Sequence, residues 1–204
     1  MLHRAKPILF TILFALSWTL PAGSTEDAPG RILGGSVNSP IRIDVFSDFQ
    51  CSACREFFLS TVRKVLKEYS SKDKVCIVYH EYPLAYHEYA RDAAQYCEAA
   101  YRMGVQTLLP VMESIYVDQA SWAQDGKLED SVAKALSPED FLKLKDIMKD
   151  PTINEAIEKE IRFAVKKKIT ATPTLIISYP GKQQRVEGLV TYLVMKQFID
   201  SIIK

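Results

Sequence analysis

Three things are scarce in this 204-residue chain, and each shortage excludes something. It has no surplus charge: 26 Lys and Arg face 25 Asp and Glu, for a formal net charge of +1. Without a basic field there is no electrostatic case for binding nucleic acid or an anionic lipid surface. After Leu20 it has no apolar run of membrane length. It has only 3 His and 4 Cys, with one Cys-x-x-Cys and no close Cys/His pair beside it. That is too little for a zinc-site spacing or for a small disulfide-held scaffold. No metal or cofactor is implied.

The N-terminus is distinctive. His3, Arg4 and Lys6 precede the apolar run from Pro7 to Leu20, and Pro21-Ala22-Gly23-Ser24 follows with a break and small residues. That order marks a secretory leader over residues 1–24, with an uncleaved anchor as the alternative. The run is shorter than the roughly 20 residues a spanning helix needs. The chain is therefore expected outside the cytoplasm, in a periplasm or an equivalent oxidising compartment. Residues 25–40 are rich in Gly, Pro and Ser and read as a flexible segment with one short strand at Arg31-Ile32-Leu33. The remainder, 41–204, is the length of a single domain.

The domain's pattern is strand, helix, strand, then a helical block, then strand, strand, helix. Ile41 to Phe46 and Val75 to Tyr79 are strands, and between them Cys54, Phe58, Val62, Val65, Leu66 and Tyr69 recur at helical spacing. Ala90 to Tyr101 and Val105 to Tyr116 carry the next helical stripes. Ser137-Pro138-Glu139-Asp140 is a helix start, and Ile153, Ile157, Ile161 and Val165 form a further stripe. Thr174 to Ser178 and Gln184 to Glu187 make a hairpin around Pro180-Gly181, before a last helix. The layout is α/β, βαβ…ββα, with a helical insertion over about residues 86–168.

Cys51-Ser52-Ala53-Cys54 sits where the first strand hands over to its helix. Free N–H groups and the macrodipole at a helix start stabilise a thiolate, so Cys51 is the candidate attacking sulfur. Cys54 falls one turn later on the apolar stripe and is placed to resolve a mixed disulfide from inside. Half a zinc site and an inert bridge are the competing readings. A bridge closing so short a loop removes little unfolded-state entropy.

The segment Phe46-Ser47-Asp48-Phe49-Gln50-Cys51-Ser52-Ala53-Cys54 resembles the active-site region of DsbA-like thioredoxin-fold proteins. The resemblance continues through Glu81-Tyr82-Pro83-Leu84 with His87, the Ala-rich helix carrying Cys97, and Thr170-Ala171-Thr172-Pro173-Thr174. It covers about residues 34–203 and implies a thioredoxin fold. It also implies disulfide exchange with exported protein substrates bearing thiols or disulfides, and a membrane redox partner that recycles the pair. Thr172 and Pro173 would bind substrate, with a cis bond between them. Where strongly oxidising members of the family carry His, this chain has Ala53, which implies weaker thiolate stabilisation at Cys51.

Asp48 and Glu81 are the candidates for taking up or relaying the Cys54 proton; otherwise each is a solvated or capping carboxylate. Cys76 and Cys97 are either a structural disulfide or two buried free thiols. Lys166-Lys167-Lys168 reads as a solvated helix end. The reading is of a monomeric enzyme, an oxidase first. A reductase or isomerase kept reduced by its partner, or a non-redox chaperone using the Pro173 groove, are the alternatives.

Overall fold

A computed structural model describes residues 29–203. The expected leader lies outside the described residues. Among them, no helix is long and apolar enough to cross a membrane.

Five strands form one sheet, in the spatial order β1, β3, β2, β4, β5. In chain order, β1 is Arg31–Gly34, β2 Ile41–Ser47, and the helix after it runs as α1 (Ser52–Phe57), a π turn (Phe58–Val62) and α2 (Arg63–Glu68). Strand β3 (Val75–Glu81) follows and pairs parallel to β2, with Ile41 opposite Val75 and Ser47 opposite Glu81. The helical block comprises α3 (Ala90–Arg102), α4 (Val105–Val117), α5 (Gln119–Asp125), α6 (Leu128–Lys134), α7 (Pro138–Ile147) and α8 (Thr152–Lys166). Strands β4 (Thr174–Tyr179) and β5 (Lys182–Glu187) then form an antiparallel hairpin, and α9 (Tyr192–Ile202) closes the chain.

Alternation in β2 divides the interior. Ile41, Ile43 and Val45 enter the main core with Ile77, Leu175, Met195 and Trp122. Phe46 points to the other face, where Ala164, Ile169 and Ile176 form a smaller cluster with Phe163 of α8. The helix after β2 departs from a plain 3.6 period. Its π turn adds a residue, so Phe57 and Phe58 are both buried while Leu66 is only half-buried.

The short strand expected at Arg31-Ile32-Leu33 is β1, one residue longer. It pairs antiparallel to β3, with Arg31 opposite Tyr79, and both Arg31 and Leu33 are buried. Residues 31–34 therefore belong to the sheet. The turn that follows requires Gly35: its φ is +81°, and a Cβ there would stand 2.1 Å from the Val75 carbonyl oxygen.

The stripe expected on α8 is also different. Ile153 and Ile157 are buried, but Glu160 and Ala164 continue that face, and Val165 is 60% exposed. Glu160 is tolerated there because it has partners. Arg31 Nη1 donates to it at 3.1 Å, and His80 Nδ1 lies 2.9 Å from its second oxygen. Arg31 also bonds Glu98 of α3 through Nε at 3.0 Å and Nη2 at 2.5 Å, while His80 Nε2 lies 3.0 Å from Asp44. Burial alone would lower the His80 pKa, but Asp44 and Glu160 raise it above its ordinary value. The imidazolium is thus favoured, and its contribution is lost as pH rises through that raised value.

Arg31 ties β1 to α3 and α8 from a site that is 2% exposed. Arg31→Ala is expected to lower stability by about 3–5 kcal/mol, because it strands buried carboxylates. Urea unfolding of the purified domain measures this.

Candidate active site

The end of β2 sets the site. Antiparallel pairing puts Phe46 opposite Thr174, so the loop leaving β2 and the loop entering β4 lie side by side. Cys51 ends the first loop in extended conformation as the N-cap of α1, and its carbonyl accepts the Arg55 N–H at 3.1 Å. Thr172–Pro173 ends the second and is cis. Cys51 Sγ stands 3.4 Å from the Thr172 carbonyl oxygen.

The two sulfurs are placed unequally. Cys51 is half-buried and Cys54 is fully buried. The Cys51 thiol is pulled down to about 5. The largest cause is the Cys54 thiol donating to its sulfur; burial opposes, and the backbone N–H groups of Cys54 and Ala53 and the Thr172 side chain assist. Burial pushes Cys54 well above the ordinary thiol range, and sharing a proton with Cys51 adds to this. The Ser47 side chain and the Asp48 backbone N–H partly oppose the rise. One sulfur is thus a thiolate at neutral pH while its neighbour holds a proton. Thr172 serves both states of Cys51: its carbonyl accepts from the thiol, and its buried hydroxyl, otherwise unpartnered, can donate to the thiolate.

The loop is clamped from three directions, and two clamps carry no sequence signal. The Asp48 carboxylate is buried and accepts from Gln50 N at 2.7 Å and Leu84 N at 2.7 Å, with His87 Nδ1 at 2.9 Å. Asp48 therefore binds the β2 loop to the segment after β3. Gln119, at the start of α5, donates through Nε2 to Phe49 O at 2.6 Å and Cys51 O at 3.0 Å. Gln50 accepts from Tyr89 N at 2.8 Å and donates to Ala123 O at 3.3 Å. The helical insertion thus holds the redox turn through two glutamines. Gln119 is invisible to sequence reasoning, since a buried amide makes no periodic pattern. Glu81 is buried, with Oε1 lacking any hydrogen-bond partner and Arg31 Nη1 4.0 Å away.

All four cysteines are free, so the bridge considered for Cys76 and Cys97 is absent. The reason is geometric. Cys76 lies opposite Arg42 near the start of β3 and senses Arg42 and Asp44 on the smaller-core face. Cys97 packs in the main core, on the opposite face of the sheet. Among the described residues there is no group of His, Cys, Asp and Glu that could hold a metal ion.

A family model described as Thioredoxin matches residues 27–201. The chain belongs to the thioredoxin family. Within it, this member is DsbA-like. A curated relative in Bacillus cereus, a probable disulfide bond formation protein D, is 24% identical over 71% of this chain and 68% of its own. Pseudomonas aeruginosa DsbA2 superposes with a TM-score of 0.64 and is 25% identical, covering 82% of this chain and 91% of that one. Oxidised BdbD from Bacillus subtilis superposes at 0.67 with 21% identity over 86% and 97%. Wolbachia pipientis alpha-DsbA1 reaches 0.70 with 18% identity over 85% and 90%. With the Cys51–Cys54 pair in this setting, this thioredoxin-family member is a protein disulfide oxidoreductase.

In the dithiol protein, Cys51 alkylation is expected to be steady through neutral pH and to fall as pH drops through about 5. The stability gained by ionising Cys51 is fully present above the ordinary thiol value of 9.0 and is lost as pH falls through about 5. The urea midpoint of the dithiol form, referred to Cys51→Ser, should therefore rise across that window. Thr172→Val removes the hydroxyl while keeping the shape. It should move the alkylation midpoint upward; an unchanged midpoint would exclude Thr172 from thiolate stabilisation.

Proposed function

We propose that the protein is exported, loses its leader of residues 1–24, and oxidises dithiols in extracytoplasmic protein substrates as a monomer. The observation that carries this reading is the unequal pair: a Cys51 sulfur drawn down to about 5, beside a protonated, fully buried Cys54. A stabilised thiolate is a good leaving group and favours the dithiol form, which makes the disulfide form an oxidant.

In the oxidising direction a substrate thiolate attacks Cys51 Sγ of the enzyme disulfide, and Cys54 departs with the electron pair and takes up a proton. The second substrate thiolate then attacks the substrate sulfur of the mixed disulfide. Cys51 leaves as a thiolate, and the substrate keeps the new S–S bond. A membrane redox partner would return the enzyme pair to the disulfide.

Substrate would lie extended against Thr172–Pro173, recognised through main-chain groups with little demand on sequence. Gly188 N donates to Pro173 O at 2.8 Å, which brings the exposed Leu189 close to that edge, with exposed Leu193 and Val194 following on α9. An apolar surface beside the Pro173 edge suits unfolded chains, and the near-neutral charge is no barrier to either sign of client.

The Ser52-Ala53 dipeptide supports a moderated oxidant. A Cys51 value of about 5 falls between the roughly 7 of thioredoxin and the roughly 3.5 of DsbA. The reduction potential of the pair decides direction. A value above about −200 mV is expected, whereas one near the ~−270 mV of thioredoxin would assign a reductase instead. Cys51→Ser should abolish oxidation of a dithiol peptide, and Cys54→Ser should accumulate a mixed disulfide. Native turnover by Cys51→Ser would remove the pair from the chemistry and favour a chaperone.

A further inference from the structure

One amide from the helical insertion reaches the backbone of the attacking cysteine itself. Gln119 opens α5 and is 6% exposed. Its Nε2 carries two hydrogens, and two carbonyls converge on them: Phe49 O at 2.6 Å and Cys51 O at 3.0 Å. The chain turns between those carbonyls, since Cys51 N donates back to Asp48 O at 3.2 Å. Cys51 O has a second donor, Arg55 N at 3.1 Å, which makes it the first acceptor of α1. Gln119 and the first turn of α1 therefore hold the same oxygen.

That oxygen matters because of where Cys51 sits. As the N-cap it keeps an extended backbone, φ −76° and ψ 121°, while α1 begins at the next residue. Its ψ angle fixes how the side chain stands relative to the helix it caps. In this setting the sulfur meets the Ala53 and Cys54 N–H groups and the Thr172 edge. A donor held on the Cys51 carbonyl keeps that angle without touching the sulfur.

The donor is itself anchored. One turn along α5 from Gln119, the Ala123 carbonyl accepts from Gln50 Nε2 at 3.3 Å, and Gln50 Oε1 accepts from Tyr89 N at 2.8 Å. On the same short helix Trp122 is buried, and its Nε1 donates to Ile115 O of α4 at 2.7 Å. Gln119 thus works from a fixed base, as a residue supporting a reactive group must.

We propose that Gln119 is a positioning residue for disulfide exchange, through which the helical insertion fixes the Cys51 sulfur at the start of α1. This rests on the exchange reading above, and it makes the reactivity of the pair a property of α5 as well as of the Cys-x-x-Cys turn. Without the amide, Phe49 O and Cys51 O each lose a donor inside the protein, and the turn relaxes to find others. The sulfur then spends less time aligned with the N–H groups that stabilise its thiolate and with an incoming substrate sulfur.

Gln119→Ala and Gln119→Met in the full-length protein test this, Met keeping the length and the burial while removing the amide. In the dithiol form, the Cys51 alkylation midpoint should rise from about 5 by roughly one pH unit. At neutral pH that rise shifts the equilibrium with glutathione about tenfold toward the enzyme disulfide. Oxidation of a dithiol peptide by the enzyme disulfide should slow about tenfold or more. A merely structural amide predicts something else: urea midpoints lowered alike in the dithiol and disulfide forms, with the alkylation midpoint and the glutathione equilibrium at wild-type values. That result would overturn the positioning role. Should Gln119→Ala fold poorly, Gln119→Met carries the test. Cys51→Ser separates the two failures. Gln119 variants at wild-type values beside an inactive Cys51→Ser sink the positioning role alone, whereas native turnover by Cys51→Ser sinks the exchange reading itself.

Discussion

The coupling between the two sulfurs of one helical turn is the interaction on which the site depends. It lets a half-buried Cys51 hold negative charge at neutral pH by keeping a proton on Cys54. The pairing works because burial in the main core disfavours a thiolate at Cys54. Phe49, Phe57 and Tyr116, all buried in that core with Cys54, therefore belong to the chemistry as much as to stability. Ser52 and Ala53 contribute one backbone N–H, from Ala53, and no side-chain donor. The helix start, the partner sulfur and the Thr172 edge supply the remaining stabilisation.

Holding that turn still requires anchors from distant parts of the chain. The helical insertion does more than cover the sheet: Gln119 and Ala123 of α5, and Tyr89 at the start of α3, grip the residues from Phe49 to Cys51. The cis Thr172–Pro173 edge comes from the far side of the domain, set by the pairing of β2 with β4. Behind both lies a dry ionic cluster in which Arg31 and His80 join β1, β2 and β3 to α3 and α8. Buried charges of this kind are tolerable only as a set, since each ion's desolvation is offset by its neighbours.

Much of the architecture was legible because it rests on short-range rules. Strand alternation at Ile41 to Phe46, the capping Ser137, whose Oγ accepts from Asp140 N, and the Cys-x-x-Cys at a strand-to-helix junction are all local patterns. Where the reading failed, a long-range partner had reversed a local preference. Glu160 took the place expected for Ile161 because Arg31, 129 residues earlier, pairs with it. The π turn at Phe58–Val62 left the α1–α2 stripe buried at Cys54, Phe58, Val62, Val65 and Tyr69 and added Phe57 beside it. Cys76 and Cys97 were open between a bridge and two buried free thiols, and the sheet puts them on opposite faces as free thiols.

The amino-acid sequence alone determined that the chain carries a Cys51–Cys54 redox turn at a helix start, a downstream Thr172–Pro173 segment and a near-neutral overall charge. Composition, spacing and helix-terminus electrostatics are properties of neighbouring residues. Only the tertiary structure decided which carboxylate near the site is engaged and which is left with an unpartnered oxygen. It alone placed two glutamines on the active loop. Those outcomes depend on which groups face each other across strands, loops and helices that lie 36 to 73 residues apart in the chain. No local rule encodes that distance.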